Sequence, residues 1–253
     1  MSLLNRYLAV VWKGFWSSNG YRGWDHVLYM QWLRGTLRAG FQYVRRYGVA
    51  HEWWNFYEGF DKDFYYGYLP PVHAQRPQRF VDGGVIFQIS RSLIDGRWYL
   101  VGIYGGTDIL GEGRSLGSVI WDSIPNEYKG MIADVTKEGI FSAQYYLRAR
   151  KDCSAPMPKP MPLNLEEDVG VKMLGQAFFK YVSIDRALHI LSKAIEFIEK
   201  LKGREATQPL YIDLVESINR LVKLREYLIK YVESGVIGST REELRTTSAA
   251  ELR

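Results

Sequence analysis

Cysteine is almost missing from this chain: Cys153 stands alone among 253 residues. A lone thiol excludes an internal disulfide and cannot build a cysteine zinc site. It sits beside a proline-rich polar stretch, so it reads as an exposed thiol in a connection and not as a nucleophile. Histidine is also scarce, and His26, His51, His73 and His189 do not fall at metal-ligand spacing. There is no GxxxxGK[ST] phosphate loop and no GxSxG nucleophile elbow. GGTDILGEG, at 105–113, has glycines after a strand pattern but not the GxGxxG spacing. Asp61 and Asp63 are close in sequence, which does not by itself make an acid–base pair. The reading is therefore a non-enzymatic chain that needs neither metal nor cofactor. Long apolar runs are absent too, which argues against a bilayer-spanning segment. The opening MSLLNRYLAVVWKG lacks the basic lead and cleavage site of a signal peptide, so the chain reads as cytoplasmic.

What the sequence does hold is apolar, aromatic and basic. Apolar residues make up 47%, enough for a substantial core, and the formal charge is +5. A pI near 9.1 suits a polyanionic partner. Aromatics reach 15%, with 8 Trp and 18 Tyr. Most of these belong in a core, but aromatics crowded among polar residues suit places where one end is wet.

Periodicity gives the organisation. YLAVVWK (7–13) reads as a strand, and FWSSNGYRGW as a loop with Asn19-Gly20 and Arg22-Gly23 turn signals. Asp25 caps an expected helix running to about Tyr47, with Val27, Leu28, Trp32, Leu33, Leu37, Phe41 and Val44 at helical spacing. The stretch 51–80 crowds Trp53, Trp54, Phe56, Tyr57, Phe60, Phe64, Tyr65, Tyr66, Tyr68 and Phe80 among polar residues. It keeps no period, and an irregular aromatic segment of this length is expected to be functional. VIFQIS (85–90) and RWYLVGIYG (97–105) flank Asp95-Gly96 and read as a hairpin. Residues 106–118 look loop-like. Val119-Ile120-Trp121 and 139–150 read as strands, and Pro156, Pro158, Pro160 and Pro162 as a stiff connection. Two helices close the chain. The first is capped by Asp185 and carries Ala187, Leu191, Ala194, Ile198 and Leu201. The second, near 210–232, carries Leu214, Ile218, Leu221, Leu228 and Val232. They form a helical hairpin joined by KGREATQP, followed by a polar tail expected to be frayed.

The order strand, helix, Trp-bearing loop, hairpin resembles the EVE and YTH branch of the PUA-like superfold. DGGVIFQIS (82–90) and YLVGIYGG (99–106) are similar to its hairpin, Trp53-Trp54 and Trp121 to its cage tryptophans, and FFKYVSIDRALHIL (178–191) to its closing strand and helix. The resemblance spans 7–201 in element order. It implies an α+β fold: a PUA-like curved sheet or partial barrel with flanking helices and a C-terminal helical hairpin. A reader domain would cover 1–201, with a helical extension or linker at 202–253. It also looks like the N-terminal specificity domain of archaeal McrB-type restriction subunits, whose AAA+ GTPase motor and nuclease subunit would lie on other segments or partner chains. The function implied is a module that flips a modified DNA base, such as N6-methyladenine or 5-methylcytosine, into an aromatic cage.

The candidate cage residues are Trp16, Trp53, Trp54, Tyr65 and Trp121, with one of the Trp53–Trp54 pair expected in the core and the other in the pocket. Ser17, Ser18, Asn19 and Ser90 are candidates for the base edge. Arg22, Arg34, Arg38, Arg45, Arg46, Arg76, Arg79 and Arg114 are candidates for phosphates. An RNA-binding PUA-like module and a protein-interaction module are the competing readings.

Overall fold

The computed structural model describes residues 6–69, 77–174, 178–204 and 208–233. Chain order gives β1 (Tyr7–Gly14), α1 (His26–Leu33), α2 (Gln42–Tyr47), 3₁₀ turns at His51–Trp54 and Glu58–Phe60, β2 (Phe64–Gly67), β3 (Phe80–Arg91) and β4 (Trp98–Ser115). Three short helices follow, α3 (Gly117–Ser123), α4 (Asn126–Lys129) and α5 (Asp134–Ser142), then β5 (Gln144–Arg150), a 3₁₀ turn at Lys151–Cys153 and β6 (Ala155–Pro162). A π turn (Leu165–Val169), β7 (Phe179–Val182), α6 (Ile184–Arg204) and α7 (Gln208–Glu233) complete it.

The fold is α+β, built on one mixed seven-stranded sheet in the order β2-β5-β4-β3-β1-β7, with β6 also paired to β4. The sheet is not closed into a barrel. β3 and β4 form the antiparallel hairpin expected from Asp95-Gly96, while β1 runs parallel to β3. β1 is apolar on both faces, the pattern of a strand covered on both sides. Val10 and Trp12 join an aromatic core with Trp53, Trp54, Phe56, Tyr65, Tyr104 and Tyr145. Ala9 and Val11 join an aliphatic one with Val85, Phe87, Ile89, Leu100 and Ile103. Helices α6 and α7 cover the aliphatic face through Ala187, Leu191, Ala194, Ile198, Leu214, Leu221, Leu224 and Leu228. The boundary read at 201/202 thus falls inside α6, and α7 shares the core of the sheet.

Several sequence expectations are corrected. The helix from Asp25 to Tyr47 is two pieces, α1 and α2, separated by Gly35 at φ +68°, which a right-handed helix cannot contain. Val27 and Leu33 of the presumed stripe are exposed, and Leu28 and Tyr29 are the buried pair. Asp25 does cap α1, accepting from Leu28 N at 3.1 Å. The glycine-rich 106–115 stretch continues β4, and Gly111 and Gly113 fall where the pairing with β5 shifts register. Val119-Ile120-Trp121 is helical, in α3, because a three-residue apolar run does not distinguish helix from strand. In 139–150 the strand begins only at Gln144, after α5. The alternating prolines form β6, a strand paired on one side only, where a missing N–H is tolerated. Cys153 is buried, and burial pushes its thiol up to about 12. The residue before α6 is Ser183, whose Oγ accepts from Arg186 N and whose carbonyl accepts from Ala187 N. It takes the capping place given to Asp185, which lies in the first turn. Val232 is exposed on α7.

Candidate functional site

The aromatic stretch is fastened to the sheet by a buried polar network. Asn55 Nδ2 donates to Gln88 Oε1 at 3.0 Å, Tyr104 OH donates to the Asn55 carbonyl at 2.9 Å, and Tyr68 N donates to Asn55 Oδ1 at 2.7 Å. Phe56 stacks on Tyr104 with centroids 4.3 Å apart. It can do so because Gly102 leaves room: a Cβ there would lie 2.2 Å from the Phe56 ring. These contacts fix the C-terminal end of the turn that carries His51, Glu52, Trp53 and Trp54.

The five cage candidates do not line one opening. Trp53 and Trp54 are both fully buried, so neither side chain of the pair faces solvent. Trp53 Nε1 donates to the Trp16 carbonyl at 3.4 Å and Trp54 Nε1 to Ser123 Oγ at 2.8 Å. Trp16 packs edge-on against Tyr99. Tyr65 is buried against Phe56, and its hydroxyl bonds Glu58 and accepts from Arg220 at 3.1 Å. Trp121 keeps a partly open face, with Lys137 and Lys129 at 5.2 and 5.9 Å from its ring.

The polar candidates serve local structure. Ser17 and Ser18 both donate to Asp25, Asn19 donates to the carbonyls of Gly23 and Trp24, and Ser90 Oγ donates to the Gly14 carbonyl at 3.0 Å. Among the arginines, Arg22 pairs with Asp213 at 3.0 Å, Arg79 lies 4.7 Å over the Tyr7 ring, and Arg114 bonds Tyr66 and pairs with Asp61 at 3.6 Å. Arg76 lies outside the described residues. Arg34, Arg38, Arg45 and Arg46 are exposed on the α1–α2 segment, where the sequence from His26 to His51 carries no carboxylate.

Beside that segment lies a cavity of about 380 Å³. Phe41, Tyr43 and Val44 form its α2 side, Ala50, His51 and Glu52 its base, and Tyr68 and Leu69 a further wall. The end of α5 and the start of β5 close it with Gly139, Ser142, Ala143, Gln144 and Tyr146. The His51 ring sits between Tyr43 and Tyr68, at 5.1 and 4.8 Å between centroids. Tyr43 OH and His51 Nδ1 are buried out of reach of solvent with no hydrogen-bond partner among the described residues, as are single atoms of Trp24, Gln88, Thr107 and Arg148. Burial pushes the His51 imidazole down to about 4, so it is neutral at pH 7. Burial also pushes the Glu52 carboxyl up to about 7, against hydrogen bonds from main-chain N–H groups that include Phe15 N. The volume lies within the roughly 300–1,000 Å³ typical of small-molecule sites.

Sequence reasoning missed Tyr43 and Tyr146, which look like ordinary helix and strand positions. The available signal was His51-Glu52, an ionisable pair opening an aromatic stretch. A second cavity, of about 250 Å³, lies between Tyr57, Tyr65 and α7, but its cations Arg22 and Arg220 already face Asp213 and Glu216. No group of side chains among the described residues could hold a metal ion, and no helix among them is long and apolar enough to cross a membrane.

Comparison with protein-family models, curated proteins and solved structures finds no match to this chain. The site's own geometry therefore carries the functional argument.

Proposed function

We propose that this chain is a nucleic-acid reader that holds one unstacked base, in a modified and typically methylated form, in the cavity between α2 and β5. The observation that carries this reading is that cavity, walled on one side by α2, together with the exposed Arg34, Arg38, Arg45 and Arg46 on a segment whose sequence from His26 to His51 holds no carboxylate. A reader must offset the few kcal/mol lost on unstacking its target base, and flat aromatic faces do this at about 1–3 kcal/mol per stacked base. Tyr43, Tyr68 and Tyr146 supply rings. Phe41, Val44, Leu69 and Ala143 supply an apolar wall for a methyl group. The arginines would follow the phosphates and steer association.

The element order of a PUA-like EVE or YTH module supports the same reading, with the base placed by the tyrosine–histidine cavity in place of a tryptophan cage. The module performs no chemistry of its own. Any GTPase motor and nuclease would lie on other segments or partner chains, with DNA as the partner and RNA as the competing polymer.

Photo-crosslinking tests this directly. A DNA duplex carrying one photoreactive base opposite an abasic site is irradiated with the protein, and the crosslinked peptides are sequenced. Crosslinks within 41–52, 68–69 or 143–146 support the reading. Crosslinks confined to the Trp121 surface or to α7 contradict it.

A further inference from the structure

The lining of the cavity between α2 and β5 combines a carboxyl with aromatic rings and includes no Lys or Arg among the described residues. We propose that this cavity selects a nucleobase carrying a fixed positive charge, with Glu52 as the counter-charge and Tyr68 and Tyr146 as the aromatic wall. This inference rests on the base-reader reading above.

Glu52 lies in the cavity lining and is 5% exposed. Its Oε1 accepts from Phe15 N at 3.3 Å, and no cation among the described residues stands against its charge. Buried carboxylates are ordinarily paired, so this one is half of an ion pair. Tyr68 and Tyr146, in the same lining, are half-buried. Neither hydroxyl has a partner among the described residues, and neither is sealed from solvent. The faces of such rings attract a cation, more strongly where water is excluded.

Methylation on a ring nitrogen gives a base this charge. 1-Methyladenine and 3-methylcytosine are flat cations, whereas their isomers N6-methyladenine and 5-methylcytosine are neutral. Phe41, Val44, Leu69 and Ala143 supply the apolar wall for the methyl group. A methylated lysine is the other common source of such a cation. The basic peptides that carry it would be repelled by Arg34, Arg38, Arg45 and Arg46, which suit a polyanion.

A pH signature follows. Burial pushes the Glu52 carboxyl up to about 7, and a bound cation draws it into the ionised form, its proton passing to solvent. Affinity for the cationic base should therefore rise with pH through about 7. The other groups that feel the Glu52 charge are Tyr21, Tyr68 and Tyr145, whose phenols burial raises above 10, and neighbouring His51 is neutral above about 4. None of these titrates near pH 7.

Fluorescence anisotropy tests this with duplexes that carry one nucleotide opposite an abasic site, so that no target base is paired. The four targets are 1-methyladenine, N6-methyladenine, 3-methylcytosine and 5-methylcytosine. Above pH 7 the wild-type protein is expected to bind its better cationic base at least about tenfold more tightly than the neutral isomer, and that preference shrinks as pH falls below 6. Glu52→Gln keeps the side-chain shape and should cut the preference below about threefold by weakening the cationic duplex alone. Tyr146→Leu should also reduce it and remains a test if Glu52→Gln unfolds. Equal binding of the isomers by wild type overturns the inference. So does a preference that ignores pH, that survives intact in the folded variants, or that is lost in Glu52→Gln only through equal weakening of both isomers. Displacement of the duplex by a trimethyllysine peptide assigns the cavity to a protein partner and overturns it too. A wild-type protein that binds none of the duplexes overturns the reader reading itself.

Discussion

The hydroxyl of Tyr145 donates to the main-chain carbonyl of His51 at 2.8 Å, joining β5 to the turn that forms the cavity base across 94 residues of chain. Both groups are buried, so the bond is made where water cannot replace it. Tyr145→Phe would leave a buried carbonyl unsatisfied and is expected to cost about 1–3 kcal/mol in chemical denaturation. It should also weaken binding of an extruded base by loosening His51. An unchanged denaturation midpoint would show that the bond does not hold the turn.

Stability should carry the opposing signatures of Glu52 and His51. Glu52 is raised from 4.5 to about 7, so the folded state holds its proton more tightly than the unfolded chain. Its contribution is fully present below pH 4.5 and is lost as pH rises to about 7, roughly 3 kcal/mol at most. His51 is lowered from 6.5 to about 4, so its contribution is present above pH 6.5 and is lost as pH falls toward 4. Urea denaturation across pH 4–8 should therefore show Glu52→Gln losing the decline toward pH 7. His51→Phe should lose the decline toward pH 4. Curves parallel to wild type would mean that these groups are not buried as described.

Trp53 and Trp54 belong to the core, and each truncation to Ala is expected to cost about 3–5 kcal/mol. Equilibrium denaturation of the two single variants gives the answer. A loss below about 1 kcal/mol for either would return that tryptophan to the surface and reopen the cage.

The sequence made the long elements legible and the short ones not. The β3–β4 hairpin was readable because Asp95-Gly96 imposes a turn, and α6 and α7 because their apolar stripes run for many turns. α3 and β6 were not. Val119-Ile120-Trp121 is too short to show a period, and prolines in 156–162 look like breakers until an edge position makes them acceptable. The site failed for a related reason. Trp53 and Trp54 carry the strongest aromatic signal because they fill the core, whereas Tyr43, Tyr68 and Tyr146 meet only after α2, the end of β2 and β5 have been brought together. The Asp25 cap succeeded because its chemistry is local.

Binding should weaken with salt, and the four exposed arginines should account for much of the slope. Replacing Arg34, Arg38, Arg45 and Arg46 by Gln is expected to lower affinity at low salt. It should also flatten the plot of log K against log salt, by up to about 0.9 for each phosphate no longer neutralised. Surface changes of this kind leave folding nearly untouched. Fluorescence anisotropy at several salt concentrations measures it. An unchanged slope would place the phosphate path on another face.

The most direct measurement follows a fluorescent base into the cavity. A duplex with 2-aminopurine opposite an abasic site is titrated with wild-type protein and with Tyr68→Ala, recording emission and anisotropy together. The expected result is a saturable change in emission for wild type, as the base leaves its stack for the cavity lined by Tyr68 and Tyr146. Tyr68→Ala should lose that change but keep the salt-dependent rise in anisotropy. Wild-type binding with no change in emission, or the same change in Tyr68→Ala, would contradict the account.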